Sequence, residues 1–416
     1  DMSKVSKIKG FADLFSSESL KFSRIESMAK DVFGRYGYQE MRVPVLEKTD
    51  LFCRSIGEET DVVQKEMYTF PDRKDRSLTM RPEATAGVMR AYIENKLYAS
   101  GGVTRLFTHG PMFRYERPQK GRMRQFHQID CEALGSPDPL LDAEVVLMLA
   151  HFLTELGLTA LTFEINSLGC RECRPGYLGA LADFLKGMHK EKLCEDCIRR
   201  KLTNPLRVLD CKVPGCKEVT ADAPKITDHL CGDCREHFDA VMAVINDSGL
   251  NYVLNPRLVR GLDYYVRTTF EVVSGDIGSQ SSVAGGGRYD GLIGALGGPD
   301  QPGVGFACGM ERLAMLLPET DEKKPDFHIV ALDEKGLAVG LSLAQKLRQD
   351  GLAGEIPYAA ASMKSQMRQA NKTGARFCLV LGPEELAAES VLVKNMAGGE
   401  QETIPLGRVV SYLQGE

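Results

Sequence analysis

The chain has 416 residues, 43% apolar and 26% charged, which suits a soluble globular protein of two or three domains with ample core. Its net charge of −5, from 52 Lys+Arg against 57 Asp+Glu, excludes a generally basic nucleic-acid coat but leaves room for local basic patches. The longest apolar stretch, 145–153, contains His151 and is far too short for a membrane span. No apolar core follows the basic residues of DMSKVSKIKG, so no signal peptide is expected and the expected compartment is the cytoplasm. Asp1 ahead of Met2 reads as a cloning remnant.

Residues 17–36 carry Phe22, Ile25, Ala29, Val32, Phe33 and Tyr36 at helical spacing, and Gly37 is placed to end that helix in a left-handed conformation. Residues 38–45 read as a strand in which Pro44 argues for an edge or an interface. Further strands are predicted at 103–115, 124–134, 161–166, 264–273 and 281–285. Strands in runs, with helices between the runs, predict an α+β domain on an antiparallel sheet. A cysteine-dense stretch at 170–255 interrupts this pattern, and the charged, proline-bounded segment 318–326 reads as a linker. The expected organisation is therefore a first domain over 1–325, interrupted by an insertion at 170–255, and a second over 326–416. In the second, strands at 327–332 and 377–381 alternate with helices near 335–350 and 363–373, a small α/β unit.

The densest chemical signal is PMFRYERPQKGRMRQFHQIDCEALG, 111–135. Its strands flank a loop holding Arg114, Arg117, Lys120, Arg122 and Arg124 against one acid, Glu116. Guanidinium forks on such a loop can receive polyphosphate or an RNA end. Along the return strand, period-2 geometry puts Gln128, Asp130 and Glu132 on one face. A solvated, charged hairpin is the other reading. LVRGLDYYVRTTFE, 258–271, leads from Arg260 into a strand through Tyr264 and Tyr265, a pair that by composition is more often core than site. The glycines of AGGGRYDGL, 284–292, would let backbone approach a ligand. GVGFACGMERLAMLL, 303–317, is a strand passing into a helix with Arg312 in its first turns, a candidate anion contact. P-loop, HExxH, GxSxG and kinase motifs are absent, so any ATP must be held by arginines, backbone and metal on an antiparallel sheet.

Of the twelve cysteines, Cys53, Cys131, Cys308 and Cys378 are scattered and eight lie between 170 and 234. In a reducing compartment such clustering suggests metal rather than disulfides. Cys170-x2-Cys173, Cys194-x2-Cys197, Cys211-x4-Cys216 and Cys231-x2-Cys234 have the paired spacing of thiolate zinc, with ligands enough for up to two ions. The first tetrad expected is Cys194, Cys197, Cys231 and Cys234. Buried, reduced thiols in a small helical insert are the other reading.

Together these stretches resemble the class II aminoacyl-tRNA synthetases, and among them the histidyl family, over residues from about 5 to the C-terminus. The segment ending at Pro44 resembles the class's dimer-interface motif 1, FRYERPQKGRMRQFHQ motif 2 and GVGFACGMERL motif 3. LVRGLDYY and AGGGRYDGL are similar to two stretches peculiar to the histidyl enzymes, and TMRPEATAG, 79–87, to their amino-acid binding segment. The resemblance implies a class II antiparallel sheet flanked by helices, a helical insertion that folds over the tRNA acceptor stem, and a C-terminal anticodon-binding domain. It implies activation of L-histidine with ATP and Mg²⁺, transfer to tRNA(His), and a homodimer. Glu83, Thr85 and Gln128 would hold the α-amino group, with backbone at Ala84 lining the same pocket. Glu132 and Tyr265 would bond the imidazole nitrogens, and Tyr264 and Tyr289 would shape the pocket. Arg114 would touch the carboxylate and the α-phosphate, Arg260 the α-phosphate from the other side, and Arg312 the γ-phosphate, with Glu116 also among the ATP contacts. Arg114 and Arg260 would be the catalytic pair. Bacterial members commonly have glycine where this chain has Ala84, whose methyl would tighten the pocket. The alternative is a catalytically silent, histidine-binding regulatory paralogue acting in histidine biosynthesis. Such paralogues generally lack the C-terminal domain and have eroded arginine motifs, whereas here Arg114, Arg260 and Arg312 are all present. In the tail, nine Lys+Arg against eleven Asp+Glu do not advertise RNA binding. Lys364, Arg368 and Lys372 nonetheless form a ridge at four-residue spacing, which an ordinary solvated helix face explains equally well.

Overall fold

The protein is described by a computed structural model covering residues 5–58, 60–188, 192–262, 264–280, 282–319 and 323–415. Asp263 of LVRGLDYY and residues 320–322 of the expected linker lie outside the described residues. The chain divides into two units between Thr320 and Asp321.

The first unit is built on an eight-stranded sheet. Its strand order is Gln39–Glu40, Thr104–Phe113, Gln125–Leu134, Gly303–Gly309, Ser282–Arg288, Val266–Val273, Thr162–Ser167 and Tyr252–Leu254. The outermost pairing at each edge is parallel and every pairing between them antiparallel. The helix Ser16–Arg35 buries Phe22, Ile25, Ala29, Val32 and Phe33, the apolar stripe read from the sequence. Gly37, at φ +80°, closes it: Tyr38 N–H donates to Phe33 O and Gly37 N–H to Gly34 O, both at 3.0 Å, the Schellman pattern.

The strand expected at 38–45 is cut to Gln39–Glu40. Met41 N–H still donates to Phe107 O at 2.8 Å, but Pro44 has no N–H to continue a ladder. The chain departs instead to Leu46–Lys48, which pairs with Ser77–Met80. With Tyr68–Pro71 these form a separate three-stranded sheet that the sequence reading did not anticipate.

Alternation along the central strands decides where the core lies. Ile129, Cys131 and Ala133 point into the main core with Val304, Phe306, Cys308, Phe270 and Val272, against the helices Ser16–Arg35, Pro139–Glu155 and Gly232–Ser248. The intervening residues face the other way, and that face carries the site. Arg288, within the glycine-rich AGGGRYDGL, is fully buried and ties the sheet to the helix Pro139–Glu155. Its Nε donates to both Asp142 carboxylate oxygens, at 3.0 and 3.1 Å, and its Nη1 to Ser136 O. Removing either partner would strand a buried charge, at about 3–5 kcal/mol.

The insertion forms short helices, Arg174–Lys186, Glu195–Thr203, Leu206–Leu209 and Pro214–Val219, around a small core of Tyr177, Leu181, Leu185, Val208 and Leu209. The second unit has a five-stranded sheet in the order Gly354–Glu355, Phe327–Ala331, Phe377–Leu381, Ser390–Asn395 and Gln401–Pro405. Its first three strands are parallel and its last two pair antiparallel. The helices expected near 335–350 and 363–373 are Glu334–Gln349 and Met363–Thr373. Lys364, Arg368 and Lys372 are exposed on the latter, while Gln366 and Ala370 are buried. Among the described residues, no helix is long and apolar enough to cross a membrane.

Candidate active site

A cavity of about 880 Å³ opens on the face of the sheet opposite the main core. Its floor exists because one strand has almost no side chains there. In Gly303–Gly309 the residues alternating with Val304, Phe306 and Cys308 are Gly303, Gly305, Ala307 and Gly309. A Cβ at Gly305 would collide with the Glu132 carboxylate on the neighbouring strand.

One end of the cavity is acidic. Gln128, Asp130 and Glu132, which period-2 geometry placed on one face, all line it, as do Glu83 and Thr85. Thr85 Oγ1 donates to Glu132 Oε1 at 2.7 Å, and Tyr289 Oη donates to the other carboxylate oxygen. Glu83 Oε1 accepts from Ala86 N–H at 3.0 Å. Burial pushes Glu132 up to about 8, against which its two hydroxyl donors work. Burial also raises Glu83, and it raises Asp130 well above the carboxylate range, with repulsion from Glu132 and Glu83 adding to it. Tyr264, Tyr265 and Tyr289 wall this end: the Tyr264 ring lies 4.6 Å from Tyr265 and 5.7 Å from Tyr289, centroid to centroid. Tyr265 and Tyr289 belong to an apolar cluster as well, so the core and site readings of the tyrosine pair meet in one wall. Ala84 is fully buried between Glu83 and Thr85 in the chain, both of which line the cavity. At φ −101° it needs no glycine.

The other end is cationic. Arg114, Arg122, Arg260 and Arg312 line it with Glu116, which pairs with Arg122 Nε at 2.6 Å. Arg114 Nε is held by Pro82 O at 2.8 Å, and Arg312 donates to Gly121 O at 3.1 Å and Ser282 O at 2.5 Å. Arg260 lies 5.4 Å from the Tyr265 ring centroid. Within the glycine triplet Gly285 lines the cavity; a Cβ there would occupy the place of the Arg260 guanidinium, and one at Gly286 would strike Gly305 O. Several buried polar atoms of cavity residues have no protein partner: Glu83 Oε2, Gln128 Oε1, Asp130 Oδ2 and Arg260 Nε. Such atoms are costly unless something fills the cavity.

Three contributors escaped the sequence reading. Arg81 is buried and braces the site from below, its Nε donating to Pro111 O at 2.9 Å and its Nη1 to Val43 O at 3.1 Å. An arginine fixed immediately before Pro82 was its only signal. Lys212 and Lys217 come from the insertion to the cavity wall, and nothing local to them reveals that.

The tetrad Cys194, Cys197, Cys231 and Cys234 is not the one the fold assembles. The sulfurs gather as Cys170, Cys173, Cys231 and Cys234, and as Cys194, Cys197, Cys211 and Cys216, within 4.8 Å of one another in each group. The physical reason is the root of the insertion. Cys170 follows the strand Thr162–Ser167 and Cys231 immediately precedes the helix Gly232–Ser248, so the chain's entry to the insertion closes on its exit, and the two middle pairs are left to each other.

Against known proteins, residues 10–313 match the family model described as histidyl-tRNA synthetase, and residues 326–416 match that of an anticodon binding domain. The chain belongs to the histidyl-tRNA synthetase family. Proteins named histidine–tRNA ligase resemble it over their full length. The one from Solidesulfovibrio magneticus is 72% identical, covering 99% of this chain and 98% of the relative, and that from Geobacter metallireducens is 53% identical, covering 97% of each. Among solved structures, apo histidyl-tRNA synthetase of S. aureus matches at TM-score 0.82 and 36% identity, covering 99% of this chain and all of that one. The α+β class II fold with a C-terminal anticodon-binding domain is thus the family's own. A structure from Bacillus halodurans C, titled an ATP phosphoribosyltransferase regulatory subunit/histidyl-tRNA synthetase, shares the fold at 17% identity and TM-score 0.64, covering 89% of this chain and 97% of that one.

Proposed function

We propose that the protein is a histidine–tRNA ligase in which the acidic end of the cavity holds L-histidine and the arginine end holds ATP. The observation that carries this reading is the pairing of unpartnered acceptors at Glu83, Gln128 and Asp130 with four arginines across one cavity. A zwitterionic amino acid meeting a polyphosphate needs that polarity.

Glu83, Thr85 and Gln128 receive the α-ammonium group. Glu132 and Tyr265 read the two imidazole nitrogens, within walls formed by Tyr264 and Tyr289. Residues without a ring donor and acceptor would leave these buried groups unpaired, a penalty of about 10⁴-fold or more. The histidine carboxylate attacks the α-phosphorus of ATP, the bond to the β-phosphate oxygen breaks, and pyrophosphate leaves with its electron pair. The carboxylate is already ionised, so no general base is needed. What the step needs is positive charge in place beforehand: Arg114 and Arg260 flank the α-phosphate where charge builds, and Arg312 holds the γ-phosphate. Glu116 and Glu271 on the cavity wall are the oxygen donors that would hold Mg²⁺, which when bound with ATP would neutralise charge on its phosphates.

In the second step a ribose hydroxyl at the 3′ end of tRNA(His) attacks the acyl carbon, the bond from that carbon to the phosphate oxygen breaks, and AMP leaves carrying the electron pair, its phosphate taking up the hydroxyl proton. A further cavity of about 550 Å³, lined by Arg122, Arg199, Arg200 and Arg207 between motif 2 and the insertion, suits the phosphates of that RNA end. The exposed ridge of Lys364, Arg368 and Lys372 is proposed to meet RNA in the second unit. A homodimer and a cytoplasmic location are proposed with the class. The regulatory-paralogue reading is disfavoured by the intact arginine set and the presence of the 326–416 unit.

The deciding measurement is ATP–pyrophosphate exchange with each of the twenty amino acids and Mg²⁺. Exchange with histidine alone is expected. Histidine binding without exchange would sink the ligase reading and restore the regulatory one.

A further inference from the structure

We propose that the insertion holds two zinc ions, each bound by four thiolates, and that the ion at Cys170, Cys173, Cys231 and Cys234 braces Tyr265 in the histidine wall. All eight cysteines are free thiols, and they divide completely into two groups of four. Cys197, Cys211 and Cys216 belong to the insertion's apolar core, yet in both groups the sulfurs face one another, which packing as small apolar groups does not require. The Sγ separations are 3.7 Å for Cys170–Cys173, 3.8 Å for Cys170–Cys231 and 3.8 Å for Cys194–Cys211. With Zn–S near 2.3 Å, the edge of a tetrahedron of sulfurs is about 3.8 Å. That spacing fits one ion between four sulfurs and leaves no room for a multi-iron cluster.

The surroundings are built for thiolates. Cys170 N–H donates to Cys173 Sγ at 3.1 Å, Glu172 N–H to Cys170 Sγ at 3.4 Å and Cys194 N–H to Cys216 Sγ at 3.2 Å. Backbone donors of this kind stabilise and orient charged sulfur. Gly169, at φ +64°, passes so close to the first group that a Cβ there would sit 2.6 Å from Cys173 Sγ. The small core of the insertion is also of a size that commonly needs a metal staple.

The first group is joined to the histidine wall by a short chain of contacts. Arg174, next to Cys173, donates from Nη2 to Tyr265 O at 2.6 Å and from Nε to Leu168 O at 3.2 Å. Arg267 N–H donates to Gly169 O at 2.8 Å, and Leu168 N–H to Arg267 O at 2.7 Å. Fixing Cys170 and Cys173 on one ion therefore fixes the backbone that carries Tyr265. Among the described residues, the second group's hydrogen bonds run from Cys216 O through Thr220 to Arg257 and stop short of Tyr265.

The test is elemental analysis of the reduced, full-length protein. Two zinc ions per chain are expected, falling to one in Cys231→Ser/Cys234→Ser and to one in Cys211→Ser/Cys216→Ser. Cobalt exchanged into the parent should give the intense visible absorption of tetrahedral cobalt thiolate, a readout that does not depend on either variant folding. One ion per chain or none, or iron in place of zinc, would overturn the two-site assignment. The bracing claim rests on the ligase reading and is measured separately, by pyrophosphate exchange. Losing the first ion should raise the histidine KM about tenfold with the ATP KM unchanged, and losing the second should leave the histidine KM unchanged. If both variants shift it equally, or neither does, the bracing is wrong while the metal count stands on its own. Failure of the parent to exchange at all would fault the ligase reading and not the zinc.

Discussion

The cavity and the insertion that contributes to its wall come from one unit but are held in shape by different means. The cavity's polar groups ride on neighbouring strands whose reverse faces are locked into the main core, so Glu132 stands between Cys131 and Ala133, both with no exposure at all. The insertion's helices are short, one of them only four residues, and share a core of a few side chains. Strand scaffolding can hold charge where water would otherwise be needed. A loose cluster of helices needs cross-links to hold anything, and the gathered cysteines supply the ligands for them. The contrast predicts that substitutions on strand-borne groups change chemistry steeply, while those on the insertion change it gently or through the metal.

The steepest change is expected at Arg260. Arg260→Ala removes half of the charge proposed to flank the α-phosphate, and pyrophosphate exchange should fall about 10³-fold with the thermal midpoint little moved. A loss below tenfold would mean that Arg114 alone supplies the stabilisation. Gly285→Ala asks whether position matters as much as charge. Its methyl would take the space of the guanidinium, so kcat should fall about 10²-fold although every charged group is retained. Wild-type exchange in that variant would show that Arg260 acts from elsewhere.

The same contrast explains what could be read before the fold was known. Period 2 is a local rule, and it placed Gln128, Asp130 and Glu132 together because the strand obeys it over its whole length. The helix stripe ending at Gly37 was legible for the same reason. The three-stranded sheet was not, since strands of three or four residues carry too few alternations to register. Cysteine spacing announced a metal-like pattern within each pair, but pairing between pairs depends on where the chain returns, and only the closure of Cys170 on Cys231 decides it. Lys212 and Lys217 reach the cavity through tertiary placement alone.

Glu132 sharpens the acidic side of the comparison. Glu132→Gln keeps the shape but changes the hydrogen-bond code, and the histidine KM should rise about 10²-fold with ATP binding retained. The parent's pH dependence follows from burial. With its carboxyl raised to about 8, the empty site is neutral at Glu132 below that pH and ionised above it. A raised folded-state pKa stabilises the protein fully below the ordinary carboxyl range, and that contribution is lost as pH rises through about 8. The ligand-free Gln variant should therefore unfold at a higher temperature than the parent at pH 8, and scanning calorimetry would detect it. Neutral imidazole offers its N–H to an ionised Glu132, so binding above about pH 8 needs no proton, whereas below it the carboxyl must first give up its own. The parent's histidine KM should therefore fall as pH rises toward about 8, and any change that survives in the Gln variant belongs to the substrate's own groups. Parallel profiles for the two proteins would remove Glu132 from imidazole recognition.

The gentlest effect is expected from the insertion's own charges. Lys212 and Lys217 line the same cavity as the arginines, yet both are exposed, and water and salt screen an exposed ammonium within about 8–10 Å. Lys217→Ala and Lys212→Ala should each raise the ATP KM a few-fold at low salt and hardly at all at physiological salt, with kcat unchanged. Arg260→Ala should be nearly insensitive to salt, because its site is formed among buried groups. The two salt profiles, measured side by side by pyrophosphate exchange, test the division between strand-held and insertion-held charge directly. A salt-independent loss at Lys217 comparable to that at Arg260 would break it, since it would mean that the insertion closes over the nucleotide and shields its lysines from solvent during the reaction.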